Sequence, residues 1–336
     1  MLVGVPAQDA LFSARCMVDA NLRGMDGQGA RRLRQHVAMI LSGTLNPRPR
    51  MHVVSERRST ALLDGDYGLG FVVGIEAMRI ALKKAGETGL GVVTAKNTND
   101  FGMAANYAML ALEHDCIGIV MANTLPWVAP YGGKVKILGT NPICIAIPTE
   151  HIPFVFDFST SYVSHSKIEM QKEQGNRIPS DWALDSSGNP TTDPVAALKG
   201  ALSPLGGYKG FGLSLIVDIM SGALSGMDCG SKIEEISLER KSTNGQMFLA
   251  LKVSAFQDLS TFVTNVDRLL VKVKSSALGP GQSRIVIPGE LALQNSEKRS
   301  KEGVSIPDEI WADIVSLCKE NSYDIGWVRM TNEHTS

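Results

Sequence analysis

Apolar residues recur at helical spacing near the start of the chain: Leu11, Val18, Leu22, Leu33, Val37, Met39 and Ile40 predict helix over residues 8–42. Gly24, Gly27 and Gly29 break that pattern. A glycine costs a helix interior about 1 kcal/mol, so the break predicts two helices with a functional or close-packed junction. Pro47 and Pro49 end the helical region. A second helical pattern, Gly70 to Ala85, leads into a strand-length apolar run, Leu90 to Ala95. A third, Met103 to His114, leads into Cys116 to Ala122. Two helix-then-strand units in succession favour a layered α/β core. Further strands are expected at Ile143 to Pro148, Phe154 to Phe158, Met247 to Val253 and Ile285 to Ile287, with helices at Phe262 to Lys274 and Asp308 to Glu320. Residues 178–193 are rich in turn formers, and Thr192-Asp193-Pro194 predicts a capped helix start with proline in its first turn. The polar stretch Gly226 to Lys241 reads as a surface excursion.

This pattern divides the chain into a helical segment, 1–60, packing with a second one, 291–336, around an α/β core at 61–290. With 336 residues, 44% of them hydrophobic, the chain can bury a large core. Its 33 basic and 34 acidic residues leave a net charge of −1, which gives no footprint for nucleic acid or a membrane surface. Small molecules or a second copy of the chain are the expected partners. Cys16, Cys116, Cys144, Cys229 and Cys318 are odd in number and mostly lie in apolar runs, as reduced thiols of a cytoplasmic protein do. No cysteine pair has zinc spacing, no metal set is expected, and no apolar run reaches the ~20 residues that span a bilayer. Residues 1–15 carry Asp9 and lack a basic leader, unlike a secretory signal.

The strongest chemical signal is Pro204-Leu205-Gly206-Gly207-Tyr208-Lys209-Gly210-Phe211-Gly212. The apolar positions Leu213, Ile216, Val217, Ile219, Met220 and Leu224 that follow predict a helix, so bare amides and the Lys209 ammonium would gather at its mouth as an anion cradle. Gly68-Leu69-Gly70-Phe71-Val72-Val73-Gly74 has the outline of a dinucleotide fingerprint. The run before it, Ala61-Leu62-Leu63, is short, and the next strand ends in Ala95-Lys96-Asn97 without a ribose-holding acid. Those glycines are expected to start a helix packed tightly on its neighbour. Lys96 to Gly102 leaves a strand for a helix, where α/β proteins place binding groups or helix caps. Asp157 lies inside an apolar strand, and a buried carboxylate requires partners.

Taken in order, these segments resemble the malate/lactate dehydrogenase-like oxidoreductases of the second type. That family also contains ureidoglycolate, sulfolactate, diketogulonate and cyclic-imino-acid enzymes. The likeness runs from about Met17 to Trp311. It rests on Asn21 to Gly24, Ala129 to Gly133, Leu138 to Pro142, Asp157 to Ser161, Lys167-Ile168, Ile178-Pro179, Thr191 to Pro194, Pro204 to Gly212 and Pro288 to Glu290. The resemblance implies a non-Rossmann α/β fold with a mixed sheet and helices from both chain ends packed on it. It also implies a homodimer and NAD(P)-dependent interconversion of a 2-hydroxy acid and a 2-keto acid.

Residue by residue, the resemblance assigns cofactor contacts to Thr124, to Asp157, Phe158 and Ser159, to Tyr208 and Lys209, and to Gly289 and Glu290. Whether the cofactor is NAD or NADP stays open. The chemical side departs from the family pattern. Ser-His-Gly is usual where this chain has Gly27-Gln28-Gly29, and a second histidine is usual where it has Asp100. Arg32 is kept and matches the arginine that grips a substrate carboxylate. Reduction of a carbonyl needs a proton donor, which glutamine is not. Asp100, water or another group is left to supply the proton, with Asp100 as the candidate residue on the condition that burial raises its pKa by ~2 to 3 units. His36 is read as a helix-surface residue, and His165 as a position where the family tolerates several residue types. The alternative is a catalytically weakened relative that binds the dinucleotide and serves as a binding or structural protein.

Overall fold

The computed structural model describes residues 3–233, 238–321 and 323. Helix α1 (Ala7–Leu22) and helix α2 (Leu33–Leu41) are separated by two short 3-10 turns, Asp26–Gln28 and Ala30–Arg32. Asn21 holds this junction: its Oδ1 accepts from the Ala30 amide at 2.8 Å and its Nδ2 donates to Asp26 at 2.8 Å. A Cβ at Gly29 would lie 2.2 Å from that Oδ1, so the predicted break in the helix is a close-packing requirement.

The chain then forms β1 (His52–Glu56) and β2 (Thr60–Asp64), crosses over through α3 (Gly70–Thr88), and returns as β3 (Leu90–Lys96). β1 corrects the helical reading of residues 1–60: its five residues are all exposed, so it carries no burial periodicity to read. β2 is likewise a true strand, formed by the short Ala61–Leu63 run and parallel to β3. The glycines after it serve packing, as expected. A Cβ at Gly74 would lie 2.7 Å from the Tyr107 ring, and one at Gly70 would lie 2.2 Å from the Asn99 carbonyl oxygen.

After the single turn α4 (Ala105–Ala108) come β4 (Cys116–Ala122), β5 (Ile143–Ile147) and β6 (Phe154–Phe158). Helix α5 (His165–Glu173) is followed by a small ribbon of β7 (Ala183–Leu184) and β8 (Ala201–Leu202) flanking α6 (Pro194–Lys199). Asp193 caps α6 through the Val195 amide at 2.9 Å, with Pro194 in the first turn as predicted. Helix α7 (Tyr208–Val217) runs into a π-helical turn, Asp218–Gly222. β9 (Gln246–Lys252) precedes α8 (Leu259–Lys274), α9 (Glu290–Glu302) and α10 (Asp308–Glu320). Residues 285–287 are not a strand, a correction to the sequence reading. Pro288 ends that run, and the chain is tied to the sheet there by the Val155 amide, which donates to the Pro288 carbonyl at 3.3 Å. Part of the Gly226 to Lys241 excursion, residues 234–237, lies outside the described residues.

Seven strands form one mixed sheet in the order β1-β2-β3-β9-β4-β5-β6. Only β2 and β3 run parallel, and the late strand β9 inserts antiparallel between β3 and β4. This topology is not a Rossmann sheet. Helix α3 covers one face with Val73, Ala77 and Ala81, and it lies so close that a Cβ at Gly91 would meet the Ala81 carbonyl oxygen at 1.8 Å. Tyr107 is stacked on Phe101 at 5.1 Å and meets Phe248 edge-on at 5.7 Å, which fills the core beneath the loop after β3. The carboxy-terminal helices clamp the amino-terminal ones: Arg299 of α9 pairs with Asp26 at 2.8 Å, and Arg34 of α2 pairs with Asp313 of α10 at 3.1 Å. Among the described residues no helix is long and apolar enough to cross a membrane.

Candidate active site

A cleft of about 540 Å³ opens where the α1–α2 junction, the loop after β3, the segment after β4 and the start of α5 converge. Gln28 and Arg32 line it from the junction, Asp100 and Phe101 from the loop, Thr124 and Trp127 from the end of β4, and Ser164 to Ser166 from α5. All three residues assigned to catalysis thus meet at one wall, together with Thr124 from the cofactor set.

The loop that presents Asp100 is held on both sides. Asn99, fully buried, donates to the Tyr67 and Gly68 carbonyls at 2.9 and 3.0 Å, and Gln246 of β9 donates to the Asn99 carbonyl at 2.9 Å. The Tyr107 hydroxyl donates to the Phe101 carbonyl at 2.5 Å. With its backbone fixed, Asp100 turns one oxygen to the Gly102 amide at 3.1 Å and the other to Arg32 Nη1 at 3.8 Å. Arg32 is steadied by the Gly27 carbonyl, which accepts from its Nε at 2.9 Å. Gln28 Oε1 is buried and has no hydrogen-bond partner.

The charge balance at Asp100 corrects the sequence expectation. Burial pushes its pKa up, but Arg32, His36 and the amides of Gly102 and Phe101 outweigh it, and the net shift is downward. Asp100 therefore stands as a carboxylate, not as a protonated acid. His36 corrects a second expectation. It is only 4% exposed, packs against Phe71 with ring centroids 5.2 Å apart, and holds the Arg32 carbonyl with Nδ1 at 2.8 Å.

The cofactor residues divide. The Thr124 amide donates to Asn141 Oδ1 at 3.0 Å, and the same side chain donates to Ser214 of α7, which fixes α7 relative to the cleft. Gly206 and Gly207 adopt φ of +60° and +66°, and a Cβ on Gly206 would meet nothing within 4 Å. Tyr208 and Lys209 are exposed at the start of α7. Two amides of the expected cradle are already used: Gly207 donates to the Pro204 carbonyl at 3.0 Å and Gly210 to that of Leu205 at 2.9 Å. The cradle adjoins the cleft through Thr160, which accepts from the Leu205 amide and donates to the Thr140 carbonyl beside Thr124.

Asp157, Phe158 and Ser159 do not line the cleft. Asp157 caps α4 through the Ala105 amide at 2.9 Å, and burial drives its pKa up to about 6. Phe158 stacks on Phe156 at 4.2 Å, and the Ser159 hydroxyl donates to the Ser161 carbonyl at 3.1 Å. Gly289 and Glu290 start α9, where the Glu290 carboxylate is taken by Lys274 at 2.9 Å and the Ile287 amide at 3.2 Å. His165 and Trp127 went unassigned in the sequence, yet both line the cleft, with ring centroids 3.9 Å apart and planes tilted by 31°. A tryptophan three residues after Thr124 was the available signal.

The model of the malate/L-lactate dehydrogenase family matches residues 1–315. The chain belongs to that family. This malate/L-lactate dehydrogenase family member is 40% identical to the L-sulfolactate dehydrogenase of Methanocaldococcus jannaschii over 96% of this chain and 93% of that protein. The sulfolactate dehydrogenase structure from that organism superposes with a TM-score of 0.92 over 97% of this chain and 94% of the other. Identity to the malate dehydrogenase of Pyrococcus horikoshii is 41%, covering 94% and 90% of the two chains. The NAD(+)-dependent ureidoglycolate dehydrogenase of Escherichia coli is 28% identical over 93% of this chain and 90% of its own length. The chain is thus an oxidoreductase of the dehydrogenase type acting on CH–OH groups of 2-hydroxy acids, on a mixed-sheet fold shared with its relatives.

Proposed function

We propose that this protein is an active NAD(P)-dependent dehydrogenase that interconverts a 2-hydroxy acid of the malate or sulfolactate kind with its 2-keto acid. The observation that carries the reading is the convergence of Arg32, Asp100 and the unpartnered Gln28 oxygen at one wall of the cleft. Arg32 offers a planar fork that fits a carboxylate. Gln28, with its oxygen lacking a partner, is suited to accept from the reacting hydroxyl, because a buried polar atom left alone is unfavourable by roughly 1–3 kcal/mol, and its amide nitrogen can donate to a keto oxygen. Asp100, kept ionised, is suited to receive the hydroxyl proton in the oxidation direction.

The residues present fit a dinucleotide. Gly206 at the mouth of α7 leaves room for a diphosphate, Lys209 supplies a cation, and Thr124 borders the cleft. When bound, the nicotinamide gives or takes the hydride. A homodimer is part of this reading. No residue of α8 is buried, Leu269, Val271 and Val273 on it are exposed, and so are Leu215 and Ile216 of α7 and Ile219 of the π-helical turn after it. Apolar area of this extent ordinarily has a partner.

The test is NADH or NADPH oxidation with oxaloacetate, sulfopyruvate and pyruvate. Saturable turnover with at least one keto acid is the expected result. Cofactor binding without turnover across the panel would instead leave a weakened relative that acts by binding.

A further inference from the structure

Hydride transfer demands that the two reacting carbons meet within about 3–3.5 Å, so the groups that hold the cofactor and those that border the cleft must be fixed to one another. We propose that Asn141 and Asn123 are the positioning residues that do this, by locking Thr124 at the cleft to helix α7, whose first turn carries the cradle. Neither belongs to the site residues assigned above. The inference rests on the dehydrogenase reading, in which Thr124 and the cradle both meet the dinucleotide.

The two asparagines flank Thr124, one beside it in the chain and one on the segment that leads into β5. Both are fully buried, and both spend every polar side-chain atom on the link. Asn141 Oδ1 accepts from the Thr124 amide at 3.0 Å, while its Nδ2 donates to the Ser214 carbonyl and hydroxyl, each at 3.0 Å. Asn123 Nδ2 donates to the Asp218 carboxylate at 2.8 Å and to the Asp228 carbonyl at 2.9 Å, and its Oδ1 accepts from the Gly245 amide at 2.7 Å. Ser214 of α7 and Asp218 of the π-helical turn stand four residues apart, so Thr124 is tied to one helix face at two successive points. Ser214 lies six residues beyond Tyr208, about 9 Å along the axis, so a short rigid length of helix joins the cradle to Thr124. Two local constraints are met to make the link. Asn141 holds a left-handed backbone, φ +38°, a region that few residues other than glycine adopt. Gly139 permits the close approach: a Cβ there would lie 2.3 Å from Thr124 Oγ1 and 2.4 Å from Asn141 Oδ1.

Asn141→Gly tests the proposal, because glycine keeps the left-handed backbone and removes both halves of the bridge. The keto-acid kcat is expected to fall roughly ten- to a hundredfold, the loss that an ångström of misplacement brings, with KM for the keto acid and the Kd of NADH within about threefold of wild type. A second readout needs no turnover: the fluorescence lifetime of NADH bound to the keto-acid-free protein should shorten towards that of free NADH, as the nicotinamide end loses its fixed surroundings. Ser214→Ala removes only the hydroxyl partner and should move kcat and lifetime the same way by a smaller step, which keeps the test decisive if Asn141→Gly does not fold. Wild-type kcat and lifetime in the folded variants would overturn the proposal. So would losses of kcat, NADH affinity and melting temperature in step, the mark of a merely structural bond. A wild-type protein that binds no NADH would overturn the dinucleotide reading first, and the proposal with it.

Discussion

Arg32 and Asp157 show how one side chain's surroundings decide its use. Arg32 is about a third exposed beside Asp100, so its fork remains reachable from the cleft. Arg32→Lys keeps the charge and removes the fork, and should raise KM for the keto acid by roughly ten- to a hundredfold with cofactor affinity unchanged. Steady-state kinetics and a fluorescence titration of NADH separate the two. Asp157 makes a stability prediction. Burial raises its folded pKa to about 6 from an ordinary 3.8, so the folded state holds this proton more tightly than the unfolded chain. Stability from this group is therefore greatest below about pH 4, declines as pH rises towards 6, and stays lower above. Asp157→Asn retains an acceptor for the Ala105 amide and should stabilise the protein at pH 7.5 by on the order of 2 kcal/mol. Calorimetry from pH 4 to 8 should show that gain vanish at the acid end. At this scale the sequence showed which residue types were present, and the family resemblance singled out Arg32, Gln28, Asp100 and Thr124, which line one cleft. The ionisation of Asp100 and the burial of His36 were illegible, because both follow from contacts between α2, α3 and the loop after β3 that no local pattern encodes.

Among the elements, α7 carries the most specific prediction. Lys209 is exposed at its first turn, so Lys209→Ala should weaken cofactor binding by roughly tenfold, the worth of one charge-assisted phosphate contact, and leave the melting temperature unchanged. A titration by intrinsic fluorescence reads it directly; unaltered affinity would place the diphosphate elsewhere. Most helices and strands were legible, α10 to the residue, because burial imposes the 3.6 and 2.0 periods. The failures share a cause. β1 is exposed on every residue, and residues 285–287 form an extended apolar run that only the sheet's hydrogen bonding could have distinguished from a strand.

For the whole molecule, the proposed homodimer would cover the exposed apolar residues of α7 and α8. Leu269→Glu with Val273→Glu on α8 should convert a homodimer into a monomer, read as a halved mass by light scattering, and wild type eluting as a monomer would contradict the expectation. The mixed sheet itself was reached through family resemblance. Strand order depends on β9 slipping between β3 and β4, a pairing across some 150 residues that leaves no mark in local spacing. The account as a whole turns on what the cleft holds. A crystal structure of the protein with reduced cofactor and an unreactive 2-keto acid analogue tests this most directly. The account predicts the analogue's carboxylate on Arg32, its keto oxygen within hydrogen-bond reach of the Gln28 amide nitrogen, and the diphosphate at Gly206, Gly207 and Lys209. Density for either ligand away from those residues would contradict it.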